Sequence, residues 1–310
     1  MGSAPTGGTG GAPPRLLVVA GPTASGKTAL AIALARRLGG EIVNADSQQV
    51  YRGLDVGTAK PTAEERAAAP HHLVDVVAPG EGMDAARFVA LADAAIADVA
   101  GRGRLPIVAG GTGLYLRALL HGVVEAPGRD PALRAALEAE AIAAGRPALH
   151  ARLAAVDPEA AARIGANDLV RIVRALEIAA GGRRPSELLA AHAFAPDRYP
   201  AVLLALDVPR AELHARIDAR VRAMFAGGLL DEARALAALP EPPPRLPIGY
   251  GEAIACVRGE LEVEEAIRRV QVAHRRYARR QVIWLRRERG VEWIAPPYDA
   301  EALARRVVAR

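Results

Sequence analysis

A mixed α/β fold, with a mostly parallel sheet flanked by helices and an inserted all-helical subdomain, is predicted by three observations. A strand-like run passes through a glycine-rich turn directly into a helical pattern, short apolar runs alternate with helical stretches over the first third, and strand runs then stop for a central segment. The turn is Gly21-Pro22-Thr23-Ala24-Ser25-Gly26-Lys27-Thr28, a complete GxxxxGK[ST] phosphate-binding loop between the apolar run 16–20 and the amphipathic stretch 29–38. It makes the sheet P-loop-type. Backbone N–H groups converge at such a turn, and the helix N-terminus adds partial positive charge, so a di- or triphosphate is the implied ligand class. Lys27 is placed to reach the outer phosphate oxygens, and the Thr28 hydroxyl to ligate a magnesium ion shared with them.

Taken in order, residues 15–20, 41–45, 72–77 and 105–109 read as strands, with helices at 27–38 and 84–100 between them. Ligands of parallel sheets sit beyond the carboxyl ends of the strands, where the loop 21–28, Asp46 and Gly110-Gly111-Thr112-Gly113 all fall. From about 127 to 195, alanine, leucine and charge recur at helical spacing, punctuated at Pro131, Gly145-Arg146-Pro147, Asp157-Pro158 and Arg184-Pro185. A strand at 201–206 returns the chain to the sheet, and Asp207 and Pro209 read as the cap and first-turn proline of the next helix. A second helix, a proline cluster at 240–247, a long helix at about 262–288 and a last strand at 291–295 follow. The expected plan is a flexible leader at 1–14, a core built from 15–126 and 199–310, and a helical insertion at 127–198.

Composition narrows the function classes. The chain of 310 residues can bury a substantial core, and although 51% of it is apolar no run is long enough to span a membrane. The leader has neither the basic start nor the apolar stretch of a signal peptide, and Cys256 is the only cysteine, so a soluble cytoplasmic protein without disulfide or cysteine-held zinc is expected. Net charge is +5, but between 266 and 289 nine arginines face a single acid, Glu288, a patch suited to polyanions. Of the 40 basic residues only Lys27 and Lys60 are lysines. A compact ammonium and a planar guanidinium are not interchangeable at a crowded site, so Lys60 is a second candidate site residue, or else a leftover surface lysine.

Asp46 ends the second strand in Asn44-Ala45-Asp46-Ser47-Gln48-Gln49-Val50-Tyr51. A ribose-binding acid belongs with GxGxxG, which the first loop lacks. A carboxylate opposite a phosphate loop can instead orient a nucleophile and take its proton, or simply cap Gln48 or Gln49. Arg216 and Arg220, at i and i+4, read from spacing alone as an ordinary solvated helix face.

GPTASGKT from Gly21, DSQQVYRGLDVGTAKPT from Asp46, PHHLVDVVAP from Pro70 and GGTGLYLRAL from Gly110 stand in the order and spacing of the tRNA dimethylallyltransferases. The chain resembles that family over nearly everything after the leader, including Asn167-Asp168, RIVRALE from Arg171, RIDAR from Arg216, Ile248-Gly249-Tyr250 and RRQVIWL from Arg279. The resemblance implies transfer of a dimethylallyl group from its diphosphate to N6 of adenosine 37, beside the anticodon, with Mg2+ as cofactor. The expected partners are a tRNA anticodon stem-loop and dimethylallyl diphosphate. A monomer can hold every residue named, and the lack of a zinc-finger extension leads us to expect the bacterial form.

The exocyclic amine of adenine is a poor nucleophile, so the reaction needs positioning, neutralisation of the leaving group and removal of a proton. By resemblance, Asp46 is the general base on N6, Thr23 lies near the oxygen linking diphosphate to the allyl carbon, and Lys27, Arg220 and magnesium at Thr28 hold the diphosphate in the loop. Ser47, Gln48 and Gln49 read the flipped adenosine and its neighbours. Thr112 is expected to approach the target backbone, or else Gly110-Gly111 simply makes a strand-to-helix turn, and Arg134 to brace the displaced nucleotides, or else it is a surface charge. Arg171 and Arg174, on one helix face, join His274, Arg275, Arg276, Arg279, Arg280 and Gln281 as two basic walls around the stem-loop, and Gly249 and Tyr250 add tRNA contacts. The chain departs from the family pattern at Gly251-Glu252, where a basic residue is more usual, and at Leu169-Val170, where a more polar pair is.

From the residues alone the loop also permits a small-molecule kinase, an ATP-driven RNA-binding switch, or a prenyltransferase of free adenine nucleotides. The helical insertion and the arginine-rich helix have little use in a kinase. Gly110-Gly111 stands where a switch needs a strand-end aspartate, and the DSQQ segment with the basic helix favours tRNA over AMP.

Overall fold

The structure is a computed structural model that describes residues 12–124, 126–128, 130–192, 196–240 and 246–309. Most of the leader expected at 1–14, and most of the proline cluster at 240–247, lie outside the described residues. Contacts divide the chain into two compact units, one spanning Gly122–Pro196 and the other built from the chain on either side of it.

The first part of the larger unit runs β1 (Leu16–Ala20), α1 (Lys27–Leu38), β2 (Gly40–Ala45), α2 (Ala63–Ala68), β3 (His71–His72), α3 (Ala85–Gly101), β4 (Leu105–Gly110) and α4 (Gly113–His121). The smaller unit is all helical: α5 (Pro131–Ala144), α6 (Arg146–Val156), α7 (Pro158–Arg163), α8 (Leu169–Ala180) and α9 (Pro185–His192). The larger unit resumes with β5 (Ala201–Leu206), α10 (Arg210–Ala226), α11 (Leu229–Ala237), α12 (Tyr250–Val257), α13 (Val263–Leu285), β6 (Val291–Ile294) and α14 (Ala300–Val308).

All six strands are parallel, in the order β3-β2-β4-β1-β5-β6. Every residue of β1 is buried, as a strand covered on both faces requires. Its alternate side chains feed two cores. Leu17 and Val19 pack with Leu30 and Leu34 of α1 and Leu303 of α14, while Leu16 and Val18 pack with Phe88 and Ile96 of α3 and Leu116 of α4. A third core gathers Val50, Leu54, Ile217, Leu229, Tyr250 and Val270 from α10 to α13 and the segment after β2.

In the smaller unit the punctuation read from the sequence becomes capping. Asp130, Asp157 and Asp168 accept backbone N–H groups at the starts of α5, α7 and α8, and prolines fill the first turns of α5, α6 and α7. Leu137, Leu149, Leu153, Ile172 and Val173 form its core.

Two expected elements change. The strand at 72–77 shrinks to His71–His72 plus an isolated Tyr51–Val77 bridge, because Leu73 and Asp75 take positive φ of 62° and 60°, which an extended strand cannot contain. Asp207 does not cap α10: its N–H donates to the Ile294 carbonyl at 2.8 Å, and Pro209 occupies the cap position without a side-chain bond.

Candidate active site

The sheet order explains why distant segments meet. Because β4 lies between β1 and β2, three neighbouring strand ends carry the loop 21–28, Gly110-Gly111-Thr112 and Asp46. A cavity of about 390 Å³ opens there, walled by Thr23, Lys27, Thr28, Asp46, Gln49 and Arg220 among others.

The loop is braced on several sides. Gln281 of α13 accepts the Thr23 N–H at 2.8 Å and donates its amide to the Gly111 carbonyl at 2.9 Å. A side chain at position 111 would overlap that amide, which is why glycine stands there. The Ser25 carbonyl accepts from Arg216 at 3.4 Å and from the Tyr298 hydroxyl at 3.3 Å. The ammonium of Lys27 donates to the Pro22 carbonyl at 2.8 Å. Burial pushes it down to about 8, against the attraction of Asp46 and with the repulsion of Arg220.

Arg220 enters from α10, donating to the Thr23 hydroxyl at 3.3 Å and the Ala59 carbonyl at 3.5 Å. Burial lowers its pKa, and Asp46 raises it. Arg216 and Arg220 therefore turn toward the loop; the solvated-face reading is set aside. The capping foreseen for Asp46 is present, one carboxylate oxygen accepting the Gln48 N–H at 2.9 Å, and the residue also lines the cavity. The Thr112 hydroxyl accepts the Ser47 N–H at 3.0 Å, tying the ends of β2 and β4 together. Gln49 donates to the Thr58 and Ala59 carbonyls at 3.3 and 2.9 Å, and Gln48 donates to the Ser47 hydroxyl at 3.1 Å. The amide oxygen of Gln48 is buried with no hydrogen-bond partner among the described residues.

The geometry is thus a cationic phosphate-type loop with a carboxylate at one cavity wall. The family model described as IPP transferase matches residues 49–288, and one described as isopentenyl transferase matches 14–74. A tRNA dimethylallyltransferase of Anaeromyxobacter dehalogenans is 84% identical over 298 residues, covering 96% of this chain and 100% of that one. The chain belongs to the tRNA dimethylallyltransferase family.

A second relative of the family, from Myxococcus xanthus, is 56% identical over 297 residues, covering 94% of this chain and 96% of its own. Among solved structures, the tRNA isopentenylpyrophosphate transferase of Bacillus halodurans is 38% identical with a TM-score of 0.69, covering 95% of this chain and 96% of that one. A eukaryotic dimethylallyltransferase acting on tRNA is 29% identical with a TM-score of 0.79, covering 95% and 78% respectively.

Within this family member the residues expected to touch tRNA divide sharply. Arg171, Arg279 and Arg280 are exposed, with Arg280 lying over the Tyr277 ring at 5.6 Å. Arg275 is held by Asp218, with its Nε 3.0 Å from the carboxylate. Others are corrected. Tyr250 is 0% exposed and its hydroxyl donates to Glu232 at 2.6 Å, so its side chain is packing, as is buried Gly249 beside it. His274 is buried, and desolvation, with Arg220 nearby, pushes its imidazole down to about 4, so it adds no positive charge at neutral pH. Gln281 faces inward as the loop brace. Arg134 is spent on the buried carboxylate of Glu177, and Arg174 donates to the Pro127 carbonyl at 2.8 Å beside the same carboxylate.

Lys60 is neither a cavity residue nor a surface lysine. It is 8% exposed, and its ammonium donates to the Tyr51 carbonyl and to the carboxylates of Asp55 and Asp75. Three converging acceptors match the three donors of an ammonium, whereas a planar guanidinium cannot point at all of them. Tyr298 and Glu232 were missed, since an isolated tyrosine or glutamate carries no pattern that marks it; Thr58 lies within the motif from Asp46 but was given no role, because what it offers is a backbone carbonyl.

Proposed function

We propose that this enzyme transfers the dimethylallyl group from dimethylallyl diphosphate to N6 of adenosine 37 in a tRNA anticodon stem-loop, releasing diphosphate. The observation that carries the reading is the meeting of Lys27, Arg220, Thr23 and Asp46 in one cavity at the strand ends. The N6 lone pair forms the new bond to the allylic C1 while the C1–O bond breaks and its electrons leave with the diphosphate. Lys27 and Arg220 stabilise the charge that develops there, in a setting where burial strengthens each interaction. Arg220, bonded to the Thr23 hydroxyl, directs its guanidinium to the bridging-oxygen side of the loop. Asp46 takes the proton released from N6, its carboxylate oriented by the Gln48 N–H.

The donor set fits magnesium. Among the described residues no group of three or more His, Cys, Asp or Glu side chains is arranged to hold a metal, and the Thr28 hydroxyl lines the cavity. Magnesium is commonly held by substrate phosphates, waters and one or two protein oxygens rather than by a protein cage. Bound there, it would add further neutralisation of the leaving group. The exposed arginines 276, 279 and 280 of α13 and Arg171 supply phosphate contacts, and Ser47, Gln48 and Gln49 the hydrogen bonds to the extruded base. No helix among the described residues is long and apolar enough to cross a membrane.

The test is mass analysis of nucleosides after incubating unmodified tRNA with the enzyme, magnesium and dimethylallyl diphosphate, with ATP and free AMP in parallel. Isopentenyladenosine in tRNA is expected, and Asp46→Ala abolishes it while stem-loop binding persists. Prenylated AMP, or ATP consumption with unmodified tRNA, would overturn the reading, and near-normal turnover by Asp46→Ala would remove Asp46 as the base.

A further inference from the structure

Outside the cavity wall, Glu232 of α11 is surrounded by donors. The backbone N–H groups of Asp55, Val56 and Gly57 reach its carboxylate at 2.8, 2.7 and 3.0 Å, and the Tyr250 hydroxyl reaches it at 2.6 Å. Three successive amides on one carboxylate fix the course of a loop, since each bond is charge-assisted and sets a direction. The Tyr250 ring closes the same loop from the other side: any side chain at Gly57 would overlap it. From beneath, Lys60 binds the Tyr51 carbonyl and the carboxylates of Asp55 and Asp75.

What this frame holds is unusual. Ala59 sits at a φ of 49°, a left-handed conformation that a residue with a Cβ adopts only where its surroundings impose it. That conformation accompanies a carbonyl that accepts from Arg220 at 3.5 Å and from Gln49 at 2.9 Å, and the Thr58 carbonyl accepts from Gln49 at 3.3 Å. Arg220 in turn reaches the Thr23 hydroxyl at 3.3 Å. A continuous series of direct bonds therefore leads from α11 to two side chains of the cavity wall.

We infer that Glu232 and Tyr250 are positioning residues: they set the 55–60 loop so that the Ala59 carbonyl aims Arg220 at the diphosphate and the loop carbonyls aim the Gln49 amide into the cavity. The inference rests on the reading that the cavity takes a prenyl diphosphate. It also accounts for the motifs around Gly57, Lys60 and Tyr250, which the cavity itself does not use. An amide at position 232 keeps one acceptor oxygen but turns an NH2 toward the loop amides, so Glu232→Gln loosens the frame. Tyr250→Phe removes only the hydroxyl and keeps the ring against Gly57.

The experiment measures binding of inorganic diphosphate, with magnesium present, and of an anticodon stem-loop RNA by calorimetry, using the full-length enzyme. Glu232→Gln and Tyr250→Phe are each made in the wild-type and in the Arg220→Ala background. If Glu232 acts through Arg220, Glu232→Gln weakens diphosphate binding roughly tenfold in the wild-type background and has almost no further effect once Arg220 is gone, because coupled residues are non-additive. Tyr250→Phe follows the same pattern with a smaller loss, and in both variants stem-loop affinity falls only by the share that Gln49 contributes, with its salt dependence unchanged because the phosphate-contacting arginines are untouched. Equal losses in the two backgrounds would mean a general structural role and overturn the inference, as would unchanged diphosphate affinity in both variants. Wild-type enzyme that binds no diphosphate would instead overturn the functional reading, and the inference with it.

Discussion

Gln281 holds the phosphate-type loop from a helix 258 residues away in sequence, its side-chain oxygen 2.8 Å from the Thr23 amide nitrogen. The same side chain grips Gly111, so one amide fixes the distance between the ends of β1 and β4. Replacing it with Leu leaves the half-buried Thr23 N–H without its partner, a loss of about 1 kcal/mol. Gln281→Leu should therefore lower the denaturation midpoint measurably and raise the KM for the donor, with stem-loop affinity unaltered. Unchanged donor KM in a folded variant would show that the brace does not govern the loop.

The depressed ammonium of Lys27 gives diphosphate binding a pH signature. Its folded-state value of about 8 lies below the ordinary lysine value of 10.5, so between these values the unfolded chain carries more of the proton, and this group's contribution to stability rises with pH across that window. A bound anion favours the charged amine. Binding should thus be strongest below pH 8, weaken above it, and take up protons there, seen as a buffer-dependent heat in calorimetry. Lys27→Met should bind weakly and show no such uptake.

Lys60→Arg, conservative in charge, should destabilise the fold by about 3 kcal/mol, because a guanidinium cannot serve three converging acceptors in a site 8% exposed. Urea unfolding reads this directly. A variant as stable as the wild type would mean that the pocket accepts a planar cation and that the retention of lysine has another cause.

Arg279 and Arg280 are exposed on α13, as phosphate contacts must be. Alanine at either should weaken stem-loop binding without regard to sequence and reduce the slope of log affinity against log salt by about 1. His274→Ala, by contrast, should leave that slope alone, since burial keeps the imidazole neutral.

The strands and helices of the larger unit stand close to where the sequence places them because apolar runs bounded by glycine leave few other solutions for a buried parallel sheet. The loop and Asp46 were legible as types of chemistry, and the sheet order then supplies their meeting; the arginines of α10 could not be told from a solvated face by spacing, and only the family resemblance singled out Arg220. What misled was α13. Its arginines read as one basic surface, yet Ile267, Val270, His274, Ala278, Gln281 and Leu285 recur every three or four residues and are all buried. That stripe was present in the sequence, and it would have separated inward His274 and Gln281 from outward Arg279 and Arg280. The fates of Tyr250, Lys60 and Arg134 were not legible in this way: each is decided by a carboxylate or carbonyl brought near only by the folded chain.

The 258-residue interval between Thr23 and Gln281 also bears on the birth of the protein at the ribosome. The anion cradle is among the first segments translated, but its lateral support belongs to one of the last helices to emerge. A nascent chain halted before α13 would carry the loop without its strut, and β5 would still be waiting for β6 on its open side. Contacts this distant are slow to close. Competence to grip an anion in this loop should then switch on only late in synthesis.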